Sequence, residues 1–391
     1  VKRSSAPQKG RRVVGAMFLA GAGVYVQTYD VQAILPGIGA ALGVSAAQSV
    51  LLLSSTTVGM AIGVIPWAYV SDRFGRLNII RSCLLLATLI SLVSPFIPGF
   101  VPMLIARFVK GVFLGGVTGL AVTYLFEELP VKRAVIASGI YISGNTVGGV
   151  ATRVLSGTLA HAFGWRASLE LIAVLGLLIA CVFLFVTRDL STGRPGLRER
   201  SDHRLLKSFW RSGVLLSFIQ GFVTLGVFNA LFSVIPFKVS DSYPTLGAVL
   251  TSVVLGLYVV AFLPAQIGGR LAARFGTGRV LALGYLLALG GLFMINAPTL
   301  SLLIAGVSAL VFGTFLIHPL SSAESGRRMP NHRAQSTALY QISWLTGATL
   351  VSPLASTVYV SAGWTWSIGL LTAILAIGAV GAFADRRGST R

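Results

Sequence analysis

Few side chains in this protein are equipped for chemistry, and the most suggestive of them sit among apolar neighbours. Asp30 lies in "YVQTYDVQAILPG" (Tyr25 to Gly37), and Arg107 and Lys110 lie in "RFVKG" (Arg107 to Gly111). A charge in the interior of a membrane costs several kcal/mol, so it must be paired or face water. Arg107 and Lys110 are three residues apart and share one helical face. Ion pairing and proton transfer are the reactions open to such a set. Cys83 and Cys181 fall in separate apolar runs, and His161, His203, His318 and His332 show no ligand spacing, so neither a disulfide framework nor a metal site is expected. No Gly-x-x-x-x-Gly-Lys phosphate loop is present, and no nucleophile, base and orienter stand at readable spacing; an ATPase or another enzyme is not expected.

The elements that hold these charges follow from composition. The chain has 391 residues, 54% hydrophobic and 11% charged, with mean hydropathy +0.82, whereas soluble domains run about 25% charged. An integral membrane protein is implied, with no room for a soluble domain. Twelve apolar runs, each about 20 residues and able to cross a bilayer, fall at about 13–35, 47–70, 79–97, 100–124, 134–160, 167–187, 212–236, 246–269, 279–297, 299–321, 334–361 and 365–384. All should be helices, because an open sheet cannot satisfy its backbone in lipid.

Net charge +20 and pI 11.0 would suggest nucleic-acid binding in a soluble protein. With the N-terminus inside, however, all Lys and Arg outside the spans except Arg166 and Lys238 fall in cytoplasmic segments. That asymmetry is the positive-inside rule, and it places both termini in the cytoplasm. The basicity is topological, and the basic loops can also touch anionic lipid. No cleavable signal is expected, since the first apolar run is too long and follows a basic tail.

The longest polar stretch, Thr187 to Gly213, divides the spans six and six: an N-terminal bundle over 1–187, a cytoplasmic linker over 188–211 and a C-terminal bundle over 212–391. The halves repeat weakly. "DRFGR" (Asp72 to Arg76) is echoed by "ARFGT" (Ala273 to Thr277), "FGWRASLELIAVLGLL" from Phe163 by "AGWTWSIGLLTAILAI" from Ala362, and Tyr141 and Gly148 by Tyr340 and Gly347. Two six-helix repeats imply a transporter with its substrate site between halves near the bilayer midplane.

On these motifs the chain resembles the major facilitator superfamily over essentially its full length, and its drug/proton antiporter branch of bacterial exporters in particular. "AYVSDRFGRLN" (Ala68 to Asn78) is similar to the family signature Gly-x-x-x-Asp-Arg-x-Gly-Arg between the second and third spans, with Ala68 for the first Gly. The resemblance implies that Asp72, Arg73, Gly75 and Arg76 form a latch at the cytoplasmic ends, with Asp72 facing a helix N-terminus and Arg76 paired with Glu127 or Glu128. Ala273 replaces the second Asp, so the latch should be one-sided. "RFVKG" resembles the Arg-x-x-x-Gly signature of the fourth span, whose Arg is implicated in proton coupling. "YISGNTVGGVATRVLSG" (Tyr141 to Gly157) resembles the exporter signature Gly-Pro-x-x-x-Gly-Gly of the fifth span, with Asn145 for Pro. There Gly144, Gly148 and Gly149, with Ser156 and Gly157, would form a close-packed gasket. Arg153 in the same span has no partner that the sequence reveals.

The resemblance implies a bacterial inner-membrane transporter working as a monomer, with protons as coupling ion and no other cofactor. Depth counting from the outer side puts Asp30 and Arg107 level, so they form the candidate couple, directly or through Lys110 or water. The spans expected to line the cavity offer Tyr25, Gln27, Tyr29 and Gln32 in the first, Gln220, Phe228 and Asn229 in the seventh, then Tyr258, with Tyr141, Tyr340, Gln341 and Trp344 from their neighbours. An apolar, aromatic wall with scattered amides suits a lipophilic or amphipathic solute. His318, directly before Pro319, reads as a helix-end residue. The expected function is proton-coupled efflux by alternating access. A lipid or glycolipid flippase and a nutrient symporter or uniporter of the same fold are the alternatives.

Overall fold

The computed structural model describes residues 6–190, 213–243, 245, 247–297, 299–329 and 332–388. Of the expected linker over 188–211, only Arg188 to Leu190 lie among the described residues. Every regular element described is helical: α1 (Ala6–Thr28), α2 (Leu35–Leu42), α3 (Ala46–Phe74), α4 (Arg76–Val93), α5 (Phe100–Glu128), α6 (Val131–Thr187), α7 (Leu215–Ser242), α8 (Gly247–Gly256), α9 (Phe262–Phe275), α10 (Thr277–Ile295), α11 (Leu300–Arg328), α12 (Arg333–Ala362) and α13 (Trp364–Gly388). Short 3-10 turns at Gln32–Ile34, Ser94–Phe96 and Leu257–Ala261 follow α1, extend α4 and join α8 to α9.

Ten of these helical stretches are long and apolar enough to cross a membrane. One of the ten is α6, which Gly164 (φ 85°, ψ 164°) breaks into two segments, and α1, with Arg11 and Arg12 near its start, supplies a further long helix. The helices overrun their apolar runs because nothing stops a helix at the bilayer edge: α3 continues through Asp72 and Arg73 to Gly75, and α5 continues through Glu127 and Glu128 to Pro130.

The first span departs from expectation. Instead of one helix over 13–35, α1 ends at Thr28, Asp30 and Val31 form a turn, and the chain re-enters helix at Leu35. Pro36 explains part of this: it has no N–H for the Gln32 carbonyl and is tolerated in a first turn, which is where α2 puts it. Leu35, where the expected first span ends, is thus a helix start.

Two compact units emerge. One takes in α1, α2, α3 from Leu51, α4 to α6 and the segment Thr245–Gly256; the other takes in Ser45–Val50, α7 and the chain from Leu257 onward. In the first, α1 packs along α6, and α5 lies backbone to backbone on α3. A side-chain carbon added at Gly144 or Gly148 would strike the carbonyl of Phe18 or Ala22, and one added at Gly111 or Gly115 would strike that of Thr56 or Met60. Helices in lipid gain their association from such close approach.

The second unit repeats these devices. Gly276 has the backbone angles of Gly75 (φ 86°, ψ 139° against 84°, 138°), and Gly363 breaks the chain with φ 88° as Gly164 does with φ 85°. Four residues after each break a serine closes the corner: Ser168 Oγ donates to the Ser156 carbonyl (2.7 Å) and Ser367 Oγ to that of Ala355 (2.9 Å). Gly347 meets the Phe222 carbonyl as Gly148 meets that of Ala22.

Gly164→Ala puts a side chain at a φ that L-residues rarely adopt and should cost about 1–3 kcal/mol, read as lower melting temperature in detergent. Gly148→Leu should cost as much or more, because backbone rather than a flexible side chain blocks it. Both variants melting like the parent would contradict these packing assignments.

Candidate functional site

Around Asp30 the first unit gathers an unusual density of charge. Arg107 Nη2 donates to Asp30 Oδ1 and Lys110 Nζ to Asp30 Oδ2, each at 2.8 Å. All three are buried, with Asp30 5%, Arg107 1% and Lys110 0% exposed. The α3–α5 contact positions the two cations, and Arg107 reaches across it, donating through Nε to the Leu52 carbonyl (2.6 Å). Nη2 also reaches the Thr28 carbonyl at 3.4 Å. That carbonyl belongs to the last turn of α1, which would otherwise lack a donor, so the cluster and the helix break support each other. Arg107 Nη1 is buried with no hydrogen-bond partner.

Arg153, unassigned from sequence, joins the same region. Its Nε donates to Gln32 Oε1 (2.8 Å), its Nη1 donates to the Gly149 carbonyl (2.9 Å), and its guanidinium lies 3.9 Å from the Tyr29 ring centre. Tyr29 stacks at a tilt on half-buried Tyr25, with ring centres 5.5 Å apart. Gln27 faces into the bundle instead, where Nε2 donates to the Gly23 carbonyl (3.1 Å) and Oε1 accepts from Ser91 Oγ (3.1 Å). Tyr141 is buried on α6, and Asn145 lies against Gly21.

At the far ends of α3 and α5, Arg76 binds Glu127 through Nε, sits 3.4 Å from Asp72 and donates to Ser71 Oγ (3.1 Å). Glu128 pairs with Lys9 instead (3.0 Å), and Arg73 is exposed beside Phe74. In the second unit Thr277 follows Gly276 as Arg76 follows Gly75. There Glu324 turns to Arg327 and Arg328 on its own helix (2.8 and 2.9 Å). A cavity of about 300 Å³ lined by Thr277, Leu320, Ala323, Glu324 and Arg327 remains.

The second unit gathers aromatic rings. His318 stacks on Trp344 (3.7 Å between centres) and lies near Tyr340, whose hydroxyl is 2.9 Å from His318 Nδ1. Phe315 sits edge-on to Phe228, Tyr258 and Trp344. His318 lies well inside α11 rather than at its end, because α11 continues through Pro319 to Arg328. Gln220 accepts from Ser321 Oγ (2.6 Å), Asn229 donates to Ser352 Oγ (3.2 Å), and Gln341 is exposed.

Sequence reasoning missed Phe315, His318 as a cluster member, and Glu170, a carboxylate of α6 whose Oε2 is buried without a hydrogen-bond partner. An ionisable residue inside an apolar run was the available signal for Glu170 and for Arg153.

A sequence model of the Major Facilitator Superfamily matches residues 13–316. The chain is 30% identical over 368 residues to the inner membrane transport protein YnfM of Escherichia coli (strain K12), covering 94% of this chain and 88% of that one. It is 28% identical over 376 residues to an uncharacterized MFS-type transporter, YybF, of Bacillus subtilis (strain 168), covering 94% and 91%. A solved bacterial homolog of the human lysosomal transporter Spinster, inward-facing and unoccupied, shares the fold with TM-score 0.76 at 19% identity over 98% of each chain. Together with the long apolar helices, these matches make the protein a multi-pass membrane transporter and not an enzyme, and the chain belongs to the major facilitator superfamily.

Proposed function

We propose that the protein is a proton-coupled secondary transporter of a small amphipathic solute, working by alternating access, with Asp30 as the group that carries the proton. The observation that carries this reading is the burial of Asp30 against both Arg107 and Lys110 at 2.8 Å. Burial and neighbouring cations act on a carboxyl's proton affinity in opposite senses, which suits a group that must both take and release a proton. Protonation removes the attraction that ties α5 to the turn after α1, and that change biases the conformational equilibrium. The inner membrane of a bacterium, with both termini cytoplasmic, is the location that the basic loops and the YnfM likeness support. The protein acts as a monomer without a cofactor.

Exchange of protons for exported solute is the direction supported by the glycine packing of α6 on α1, where the exporter-like signature falls. The apolar rings of the second unit suit a lipophilic partner. A second reading, uptake of solute together with protons, is favoured by one observation: two cations share one carboxylate, so protonating Asp30 frees positive charge that an anion can use.

In proteoliposomes with an imposed pH gradient, Asp30→Asn should abolish gradient-driven flux while leaving solute counterflow measurable. Full gradient-driven flux in Asp30→Asn would refute the carrier role. The sign of flux, outward or inward relative to the proton gradient, separates exchange from uptake. Glu127→Gln, which loosens the Arg76 tie between α5 and α4, should slow initial rates several-fold without a matching loss of affinity; unchanged rates would remove Arg76–Glu127 from the gating steps.

A further inference from the structure

We infer that the charged end of the solute is a carboxylate, which takes the place of Asp30 on Arg107 and Lys110 when Asp30 is protonated. The inference rests on Asp30 as the proton carrier and adds the substrate class. Three observations carry it. Two buried cations bind a single carboxylate, one to each oxygen, so the group at the centre of the cluster already has the geometry that a carboxylate ligand would have. The charge of this set is unbalanced by one, and an uncompensated buried charge is costly enough that something of opposite sign is favoured beside it. Arg107 Nη1, buried and without a partner, is a donor left over for an acceptor that Asp30 does not supply.

The other partners of Arg107 bring no counter-charge, and one neighbour adds a charge of the same sign. Leu52 and Thr28 offer Arg107 neutral carbonyls. From α6, Arg153 places a third cation against Tyr29 and Gln32, the residues on either side of the Asp30 turn. The carboxylate of Asp30 and that of the solute compete for the same donors. A proton on Asp30 therefore promotes binding of the anion, and the anion promotes binding of the proton, as linkage requires. Solute and proton then move together, which is the uptake reading, and inward flux down the proton gradient is its expected sign.

Binding to purified protein tests this with benzoate, benzamide and benzylammonium, which share a ring and differ in charge, and with straight-chain carboxylates from acetate to decanoate. Asp30→Asn, a mimic of the protonated state, should bind at least one of these carboxylates about tenfold more tightly than the parent. It should show no such gain for the amide or the ammonium ion. Adding Lys110→Gln should cancel the gain. A cooperative melting transition and a single size-exclusion peak establish that each variant is folded. Absence of a gain for every carboxylate in folded Asp30→Asn, or an equal gain for benzylammonium, overturns the inference. Proton-driven flux in the same variants keeps the two claims apart. A carboxylate gain with undiminished flux removes the proton-carrier role and leaves the anion site, whereas lost flux without a gain does the reverse.

Discussion

A carboxylate held in the interior of a membrane helix bundle must be neutralised, and the first unit is organised around how that is done for Asp30. Its two oxygens are divided between Arg107 and Lys110, which requires α5 to present both cations on one face at this depth. That face is fixed by the glycines that let α5 and α3 touch through their backbones. The turn at residues 29–31 follows from the same demand: Arg107 supplies a donor for the Thr28 carbonyl, and α1 can stop there. Removing one partner of such a buried pair typically costs about 3–5 kcal/mol, because the survivor is left uncompensated. α1, α3 and α5 are thus tied together at this one carboxylate and its two cations.

The two units share a scaffold and divide the chemistry. Gly75 and Gly276, Gly164 and Gly363, and the serine corners at Ser168 and Ser367 repeat nearly angle for angle. The ionic groups do not repeat. Ala273 and Thr277 stand where Asp72 and Arg76 stand in the first unit, and the acid of that helix end, Glu324, is satisfied within α11. Backbone geometry is the part of a repeat that folding protects, because any change at a positive φ or a close backbone contact is costly. Side chains away from those positions are freer to change, and here the first unit carries the buried ion cluster and the second the aromatic cluster.

Much of the fold was legible because the bilayer imposes a length on every span and concentrates basic residues in alternate connections. The Asp30–Arg107 pairing was legible too, since depth counting needs only span boundaries. The interruption after Thr28 was not: an apolar run reads as continuous helix unless a proline lies inside it, and Pro36 lies beyond the break. Whether Arg76 would choose Glu127 or Glu128 depended on which face of α5 turns toward α4, and adjacent residues point about 100° apart on a helix. Arg153 showed as an orphan because its partners, Gln32, the Gly149 carbonyl and the ring of Tyr29, carry no net charge to advertise them. His318 was misplaced because Pro319 looked like a terminus, whereas a proline inside a packed membrane helix is tolerated when neighbours satisfy the freed groups.

The central claim is that Asp30 gains and loses a proton while it remains inside the bundle. Infrared difference spectroscopy of the reconstituted protein between alkaline and acidic buffer reads this directly through the carbonyl stretch of a protonated carboxylic acid. The account predicts such a band in the parent and its loss in Asp30→Asn, with the band retained in Glu170→Gln. A band that persists unchanged in Asp30→Asn, or that disappears in Glu170→Gln, would contradict it.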